Sequence, residues 1–388
     1  MSLKELEAIQ KSGCACGKQH VAAIDKILCG AGVLNELPTI LAEYGVKKPY
    51  ILCDRNTYAA AGERVCALLD KAGIPYSIYT YRDERPAPNE HNVGLAIMFL
   101  PKDCDIVIGV GSGVINDIGK IVSNVSKKPY IIVGTAPSMD GYASAGSPFL
   151  HDGTKTTVQA TTPKYIIGDL DILKDAPWEM MLAGIGDMFG KYTGLLDWEL
   201  ARDYSGEYFC QKIAADVLDA TNKCLENGYL LTNRDPVCVK NVMEGFLVTG
   251  LGMAYTGNSR PASGSEHIVA HAWELFDVEN GRPPHLHGLE VCEATRLIAI
   301  MYKMLLEETD DAHLKELIGR YIPYFDAVEE FCIKMKVPPT VTDREEIISG
   351  IHRALVMRDR YTILFYLRDI GKLEEYAAAA TDRLLAVL

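Results

Sequence analysis

Three residues of types that bind divalent metals, Asp187, His267 and His287, occur in glycine-rich contexts. The contexts read Gly-Ile-Gly-Asp, Ser-Gly-Ser-Glu-His and His-Leu-His-Gly. One carboxylate and two neutral imidazoles supply oxygen and nitrogen donors that suit zinc, nickel or ferrous iron. Three ligands leave coordination positions for a substrate oxygen, so this set predicts a catalytic metal site. The alternative is that each is an ordinary core or surface side chain, as is common among the nine histidines of this chain.

The spacing of the histidines favours the metal interpretation. His267 and His271 are four residues apart in a stretch predicted as helix from Ser265 to Phe276, so both rings are expected on one helical face. His287 follows a Gly-Arg-Pro-Pro turn and precedes a predicted helix over residues 289–305. Junctions between a loop and a helix commonly carry ligands.

The elements expected to position these residues change character along the chain. The first part alternates short apolar runs with helical stretches, a βαβ pattern typical of a parallel sheet that binds ligands beyond the carboxyl ends of its strands. From about Pro177 onward, long helix-favouring segments dominate. We therefore predict a Rossmann-like α/β domain over residues 1–170 and an all-α metal- and substrate-binding domain over residues 171–388, with the active site in the cleft between them. The predicted strands are 49–53, 76–81, 106–109 and 130–133, and the predicted helices are 58–72, 89–99, 114–123, 178–199, 207–227, 236–255 and 310–335.

Composition limits the classes of protein that remain. The chain has 388 residues, 48% hydrophobic and 23% charged, and contains no run of 18 uninterrupted apolar residues, so no transmembrane helix is expected. A net charge of −13 argues against nucleic-acid or anionic-membrane partners. The charged N-terminus and eleven scattered cysteines predict a cytoplasmic, reducing location, and the size of the chain favours a homo-oligomer. Cys14 and Cys16 could bind a second metal only if two more ligands lay nearby.

A glycine loop links a predicted strand to a helix in the first domain. Gly109, Gly111 and Gly113 would let the backbone approach an anion, and the first amides of the helix would bind a pyrophosphate. A tight turn without a ligand is the alternative. Asp54, at the end of an earlier strand, is a candidate acceptor for the adenosine ribose, although the usual dinucleotide fingerprint places the glycines first. The adjacent Arg55 leaves a 2′-phosphate, and hence NADP, possible.

Five segments together resemble the sn-glycerol-1-phosphate dehydrogenase family, within the glycerol dehydrogenase and iron-containing alcohol dehydrogenase superfamily. The resemblance runs from about residue 20 to residue 300, and its most specific parts are Thr-Ala-Pro-Ser-Met-Asp-Gly and Ser-Gly-Ser-Glu-His. The segments begin at Gly109, Gly134, Gly184, Pro261 and His287.

The resemblance implies roles for individual residues. Asp187, His267 and His287 would hold one divalent metal (zinc, nickel or iron), and Asp140, Asp187 and His271 would contact the substrate. NAD or NADP would lie against Asp54, Gly111, Gly113, Val114, Ile115, Asn116, Asp117, Thr135, Ser138 and Ser144.

The expected reaction is the reversible, NAD(P)H-linked reduction of dihydroxyacetone phosphate to sn-glycerol 1-phosphate. The metal would polarise the carbonyl, and His271 or a metal-bound water would deliver the proton. Alternatively, His271 would orient a neighbouring metal ligand or pack its helix. Arg260, Lys155 and Lys164 are candidates for the substrate phosphate by position alone. Alternative functions are a polyol dehydrogenase acting on unphosphorylated glycerol, a cyclase resembling 3-dehydroquinate synthase, and a catalytically silent metabolite-binding protein. Asp187 argues against the cyclase.

Overall fold

A six-stranded, fully parallel sheet organises the first half of the chain. The computed structural model describes residues 13–83, 85–152 and 154–388. The order of strands in the sheet is β1-β8-β5-β4-β2-β3. The strands are β1 Lys26–Gly30, β2 Pro49–Asp54, β3 Ser77–Tyr81, β4 Ile106–Gly111, β5 Tyr130–Gly134, β6 Gly146–His151, β7 Thr154–Gln159 and β8 Tyr165–Asp169.

The central strands are apolar along their length because helices cover the sheet on both faces. Every residue of β2, β4, β5 and β8 is buried, which is the pattern expected of parallel strands rather than of strands with one wet face. The predicted strands were correct to within two residues at their ends. The predicted α/β organisation of this part is confirmed.

The register of the sheet brings two loops together. Gly111 at the end of β4 pairs with Gly134 at the end of β5, so the chain leaves both strands at one edge of the sheet. On the other side of β4 lies β2, which ends at Asp54. Three segments predicted to contact a cofactor therefore begin at the same edge.

Helices account for most of the remaining described chain. Their bounds are α1 Leu37–Glu43, α2 Glu63–Ala72, α3 Glu90–Met98, α4 Gly113–Ser126, α5 Leu170–Leu173, α6 Trp178–Ser205, α7 Gln211–Asn227, α8 Pro236–Thr256, α9 Ser265–Glu279, α10 His287–Glu308, α11 Ala312–Gly319, α12 Ile322–Met335, α13 Arg344–Met357, α14 Ile363–Asp369 and α15 Leu373–Leu385. Short helical turns at Arg55–Thr57 and Tyr58–Gly62 precede α2.

Two sequence-based expectations about these elements were wrong or incomplete. The single helix predicted over 310–335 is two helices, α11 and α12, because Pro323 in the first turn of α12 lacks an amide hydrogen and cannot continue the preceding helix. The antiparallel hairpin of β6 and β7 was not predicted. Its second strand reads Thr-Lys-Thr-Thr-Val-Gln and is largely exposed, so it carries no apolar pattern.

The described chain divides into two compact units that are not single stretches of sequence. The sheet unit contains residues 21–181 and 230–254, and the helical unit contains residues 13–20, 182–229 and 255–388. The prediction divides the chain once, between residues 170 and 171. In the structure, most of α8, which lies after that boundary, belongs to the sheet unit. Close packing explains this grouping, since a Cβ at Gly250 of α8 would lie 2.7 Å from the Cβ of Ala143 in the loop after β5.

Helix α8 also bears on the question of membranes. Among the described helices it alone is long and apolar enough to cross a membrane by length and composition. Most of its apolar window is buried within the structure, and the core helix of a soluble protein passes the same test.

Candidate functional site

The first residues of α4 present uncapped backbone amides in the sheet unit. β4 ends at Gly111, and α4 begins two residues later at Gly113, with Ser112 between them. No side chain among the described residues caps the first amides of α4, because the Ser112 hydroxyl lies 2.6 Å from that of Ser138. Uncapped amides and the positive end of a 14-residue helix suit a pyrophosphate.

Two of the loop glycines have packing explanations. A Cβ at Gly111 would lie 2.5 Å from the Cβ of Ile115, so glycine lets α4 start close to the strand. A Cβ at Gly109 would collide with the hydroxyl of Tyr130, which accounts for that glycine without a ligand. Gly113 faces Met139 at a looser 3.3 Å.

The loop after β5 is held by polar side chains of α4. Asn116 donates its side-chain amide to the carbonyl of Gly141 at 3.0 Å. Lys120, which is fully buried, donates to the carbonyl of Gly146 at 2.7 Å and lies 3.4 Å from the hydroxyl of Ser144. Asn116 and Ser144, predicted as cofactor contacts, therefore also fix the loop that carries Asp140. Sequence reasoning missed Lys120.

Asp54 lies at the sheet edge where it was predicted, but its carboxylate has a local role. It accepts a hydrogen bond from the Thr57 amide at 2.8 Å, and the Thr57 hydroxyl accepts one from the Asp54 amide at 2.9 Å. This reciprocal capping of the following helical turn explains the residue without a ribose. Contact with the ribose stays a prediction.

The helical unit brings the three predicted metal ligands together. Asp187 comes from α6, His267 from α9, and His287 is the first residue of α10. One donor atom of each lies within 4.8 Å of the others, and the rings of the two histidines are 5.4 Å apart between centroids. Asp187 is fully buried and His267 almost so.

Neighbouring carboxylates orient both imidazoles. Glu266 lies 2.7 Å from Nδ1 of His267, and Glu274 lies 2.7 Å from Nδ1 of His287. A carboxylate at Nδ1 favours the proton there, which leaves Nε2 as the donor available to a metal. The two glutamates were not predicted as part of the site.

The contact between His267 and Asp187 is the best indication that a cation belongs here. Nε2 of His267 lies 3.3 Å from Oδ1 of Asp187, and this buried nitrogen has no hydrogen-bond partner among the described residues. With Nδ1 donating to Glu266, two lone pairs face each other, which is unfavourable unless a proton or a metal ion lies between them. The nitrogen and oxygen donors thus fit a divalent metal.

A buried lysine completes the charge balance of the cluster. Nζ of Lys191 lies 2.6 Å from Oδ1 of Asp187, one turn along α6, and both side chains are fully buried. Burial raises the pKa of the Asp187 carboxyl, but the Lys191 ammonium and His267 outweigh it, so that pKa lies well below its usual range. Burial and Lys191 lower the pKa of His267, yet the carboxylates of Asp187 and Glu266 raise it on balance.

His271 lies beside the cluster, one turn from His267. Its ring stacks on that of His287 with centroids 5.2 Å apart, and it is partly exposed. Donor atoms of His271, Glu274 and His287 also lie within 4.8 Å of one another. His271 therefore lies directly beside the proposed ligand His287.

Glycines of the sequence motifs set the approach of α6 to α10. A Cβ at Gly186 would collide with the carbonyl oxygen of Gly288, and a Cβ at Gly288 would collide with that of Ala183. A Cβ at Gly190 would lie 2.7 Å from Val291. The glycines beside Asp187 and His287 therefore allow the two helices to come close enough for their ligands to converge.

Two of the three substrate-phosphate candidates, Arg260 and Lys164, pair with carboxylates, and the third, Lys155, lies on the largely exposed strand β7. The guanidinium of Arg260 is buried and paired with the carboxylate of Glu207, with Nε at 2.7 Å. Lys164 pairs with Asp25 at 3.3 Å. Neither contact points to a phosphate.

The sequence is similar to a known family and to several known proteins. The sequence profile of the family described as iron-containing alcohol dehydrogenase matches residues 28–177. The chain is 36% identical to a glycerol-1-phosphate dehydrogenase [NAD(P)+] of Halalkalibacterium halodurans over 75% of this chain and 74% of the relative. It is 36% identical to the protein of the same name from Bacillus velezensis over 89% of this chain and 91% of the relative.

A solved structure supports the fold alone. Glycerol dehydrogenase from Schizosaccharomyces pombe superposes with a TM-score of 0.69 at 18% identity, covering 95% of this chain and 91% of that chain. The expected fold class, a parallel α/β sheet followed by a mostly helical part, is therefore confirmed.

Proposed function

This chain belongs to the glycerol-1-phosphate dehydrogenase family, and we propose that it catalyses the reversible, metal-dependent reduction of dihydroxyacetone phosphate to sn-glycerol 1-phosphate. It is an NAD(P)-dependent oxidoreductase that acts on a small molecule. The observation that carries the metal dependence is the convergence of one donor atom each of Asp187, His267 and His287 within 4.8 Å, with the buried Nε2 of His267 3.3 Å from Oδ1 of Asp187. The names of the relatives support the substrate.

Asp187, His267 and His287 would hold the divalent metal, which when bound supplies Lewis-acid polarisation of a carbonyl oxygen. Glu266 and Glu274 keep the two imidazoles in the tautomer that presents Nε2. Lys191 keeps the Asp187 carboxylate charged while no metal is bound. These three positioning residues prepare the ligands before any substrate arrives.

NAD(P)H supplies the hydride, and the chain supplies the proton. The hydride goes to the central carbon of dihydroxyacetone phosphate, and the carbonyl oxygen takes a proton to become the hydroxyl of the product. His271 would deliver that proton, since its ring lies beside His287 and is partly exposed. Asp140, in the partly exposed loop after β5, would accept a hydrogen bond from a substrate hydroxyl.

The cofactor would bind in the sheet unit. The uncapped amides at residues 113–115 suit its pyrophosphate, and Thr135, Ser138 and Ser144 line the neighbouring loop. Asp54 would accept hydrogen bonds from the adenosine ribose with the carboxylate oxygen that does not cap the helical turn.

The decisive experiment compares two ketones on one preparation. Dihydroxyacetone phosphate and dihydroxyacetone are each supplied with NADH and with NADPH, and the product is analysed for chirality. We expect turnover of the phosphorylated ketone to give sn-glycerol 1-phosphate. Preference for the unphosphorylated ketone would instead identify a polyol dehydrogenase and overturn the proposed substrate.

A variant pair tests the metal assignment on the same substrate. His267→Ala should lose bound metal and turnover together. His352→Ala is the matched control, because His352 lies on the surface of α13 and pairs with Glu374 at 3.1 Å. Full activity of His267→Ala without metal would refute the assignment.

The proposal includes a cytoplasmic location and a homo-oligomer. Mass photometry of the purified chain measures the oligomeric state directly, and fractionation of the source cells locates the protein. A monomer at working concentration, or enrichment with membranes, would contradict these two statements without touching the reaction.

A further inference from the structure

A second group of metal-binding side chains lies in the helical unit, formed by Cys14, Cys16, His20 and Cys210. One donor atom of each lies within 4.8 Å of all the others. Sγ of Cys14 is 3.6 Å from Sγ of Cys210, and Nε2 of His20 is 3.3 Å from Sγ of Cys16 and 3.6 Å from Sγ of Cys210. Three sulfurs and one nitrogen thus surround a common point.

These separations match those of a tetrahedral zinc site. With Zn–S bonds of about 2.3 Å and Zn–N bonds of about 2.0 Å, tetrahedral geometry sets S···S near 3.8 Å and S···N near 3.5 Å. The measured 3.6 Å, 3.3 Å and 3.6 Å lie within a few tenths of an ångström of these values. A disulfide would instead require sulfurs about 2.0 Å apart.

The local backbone presents the first two thiols together. Residues 14–17 form a turn in which the amide of Gly17 donates to the carbonyl of Cys14 at 3.0 Å. Gly17 has a φ of 81°, a left-handed conformation that favours glycine. The Cys-Ala-Cys-Gly sequence therefore specifies this turn.

The imidazole of His20 is held in the form that a metal requires. The ring is fully buried, and its Nδ1 lies 3.1 Å from the carbonyl oxygen of Tyr255. Since a carbonyl only accepts, Nδ1 carries the proton, and the lone pair of Nε2 faces the sulfurs. An imidazole fixed by a backbone carbonyl is typical of zinc ligands.

Two of the thiols have neighbours that would stabilise a metal-bound thiolate. Cys210 directly precedes α7, whose positive end stabilises negative charge, although burial raises the pKa of the metal-free thiol to about 12. The Tyr208 hydroxyl donates to Sγ of Cys16 at 3.2 Å, and the ammonium of Lys18 lies 3.5 Å from the centre of the Tyr208 ring. These groups would stabilise a site whose net charge, with zinc and three thiolates, is −1.

We propose that Cys14, Cys16, His20 and Cys210 bind one Zn²⁺ in a closed structural site, distinct from the site of Asp187, His267 and His287. Four protein ligands leave no position for substrate, so the ion ties residues 14–20 to the start of α7. On binding, the three thiols release their protons to the solvent, and no electron is transferred. The proposal does not depend on the reaction proposed above.

Cobalt substitution distinguishes the two sites, because only this one has sulfur ligands. The protein is purified under reducing conditions without chelator, its zinc is measured, and Co²⁺ is then exchanged in. We expect one zinc per chain in this site and, with Co²⁺, a thiolate-to-cobalt charge-transfer band together with the intense visible bands of a tetrahedral complex. Cys16→Ser and Cys210→Ser should each lose the band and one zinc per chain.

Two variants serve as controls. His267→Ala should keep the charge-transfer band, since it removes a ligand of the other site only. Cys29→Ser, which alters a partly buried cysteine of β1 in the sheet unit, should also keep it. A band that persists unchanged in Cys16→Ser, or that is lost equally in Cys29→Ser, would overturn the proposal.

Two measurements on the unaltered chain keep the test independent of how the variants fold. Removal of zinc by a chelator should lower the denaturant midpoint of unfolding, and added Zn²⁺ should restore it. Peptide mass spectrometry of freshly isolated protein should find the three thiols reduced. A Cys14–Cys210 disulfide, or a midpoint insensitive to chelation, would contradict a structural zinc.

Discussion

Replacement of Lys191 by methionine should destabilise the metal-free protein far more than the metal-loaded protein. The ammonium lies 2.6 Å from Oδ1 of Asp187, and both side chains are completely buried. Methionine keeps much of the volume of the side chain and removes its charge. The variant therefore leaves a buried carboxylate without its cationic partner.

The magnitude follows from the burial and the distance. At 2.6 Å and an effective dielectric constant of 20, the Coulomb attraction is about 6 kcal/mol, and it is largely offset by the cost of desolvating both ions. Loss of one partner from such a pair leaves the other charge uncompensated and costs about 3–5 kcal/mol. A divalent metal at Asp187 would restore the compensation, so the loss should at least halve when metal is bound. Metal should also bind more tightly, because a like charge beside it has gone.

Denaturant unfolding with and without excess divalent metal provides the assay, with metal affinity measured by titration. Lys223→Met is the matched control. Lys223 pairs with Asp219 at 2.8 Å in the same i, i+4 orientation, but the two side chains are 45% and 50% exposed. Exposed pairs contribute about 0–1 kcal/mol, so the control should change little in either state. Equal destabilisation of Lys191→Met with and without metal would refute a metal site at Asp187.

Three further predictions concern other contacts. Glu274→Gln should weaken metal binding about 10- to 100-fold, because the carboxylate orients a ligand imidazole. The control Glu279→Gln, which alters an exposed ion pair on the same helix, should leave the metal affinity unchanged. If the two variants bind metal with equal affinity, Glu274 does not belong to the site. Asp54→Asn keeps a side chain that can cap the helical turn but removes its charge. The ratio of kcat/KM for NADPH to kcat/KM for NADH should therefore rise about tenfold. An unchanged ratio would exclude Asp54 from the cofactor site. Gly109→Ala should lower the free energy of unfolding by about 1–3 kcal/mol, because its Cβ would collide with the Tyr130 hydroxyl. In the double variant, Tyr130→Phe should recover part of that loss. If the two substitutions change the free energy of unfolding additively, the collision is relieved elsewhere.

Four of the six strands of the sheet, β2, β3, β4 and β5, could be predicted from the local sequence, whereas β1 and β8 were not predicted. Strands buried on both faces must be apolar throughout, and the runs from Ile106 and Tyr130 meet that requirement within a few residues. The hairpin of β6 and β7 has no such requirement, since its second strand is largely exposed. A polar, exposed strand is held by its partner, which no local pattern encodes.

The three proposed metal ligands could be identified from sequence, but the groups that orient them could not. Asp187, His267 and His287 have metal-binding chemistry of their own, so residue type and context single them out. Lys191 and Glu274 act only through the ligand that each contacts, and a lysine or glutamate in a helix is ordinarily solvated. Lys191 still had a signal, since it lies four residues after Asp187 in a predicted helix.

The full cysteine cluster could not be predicted from sequence, because its residues are far apart along the chain. Cys14 and Cys16 suggested half of a site, and the two further ligands that we propose for it are His20 and Cys210. Cys210 lies 196 residues from Cys14 along the chain, and only the folding of the helical unit brings their sulfurs to 3.6 Å. The ligands of the first site converge in the same way, because glycines at 186 and 288 remove the side chains that would hold α6 and α10 apart. Residue types therefore define which atoms can bind a metal, whereas backbone packing decides which of them meet.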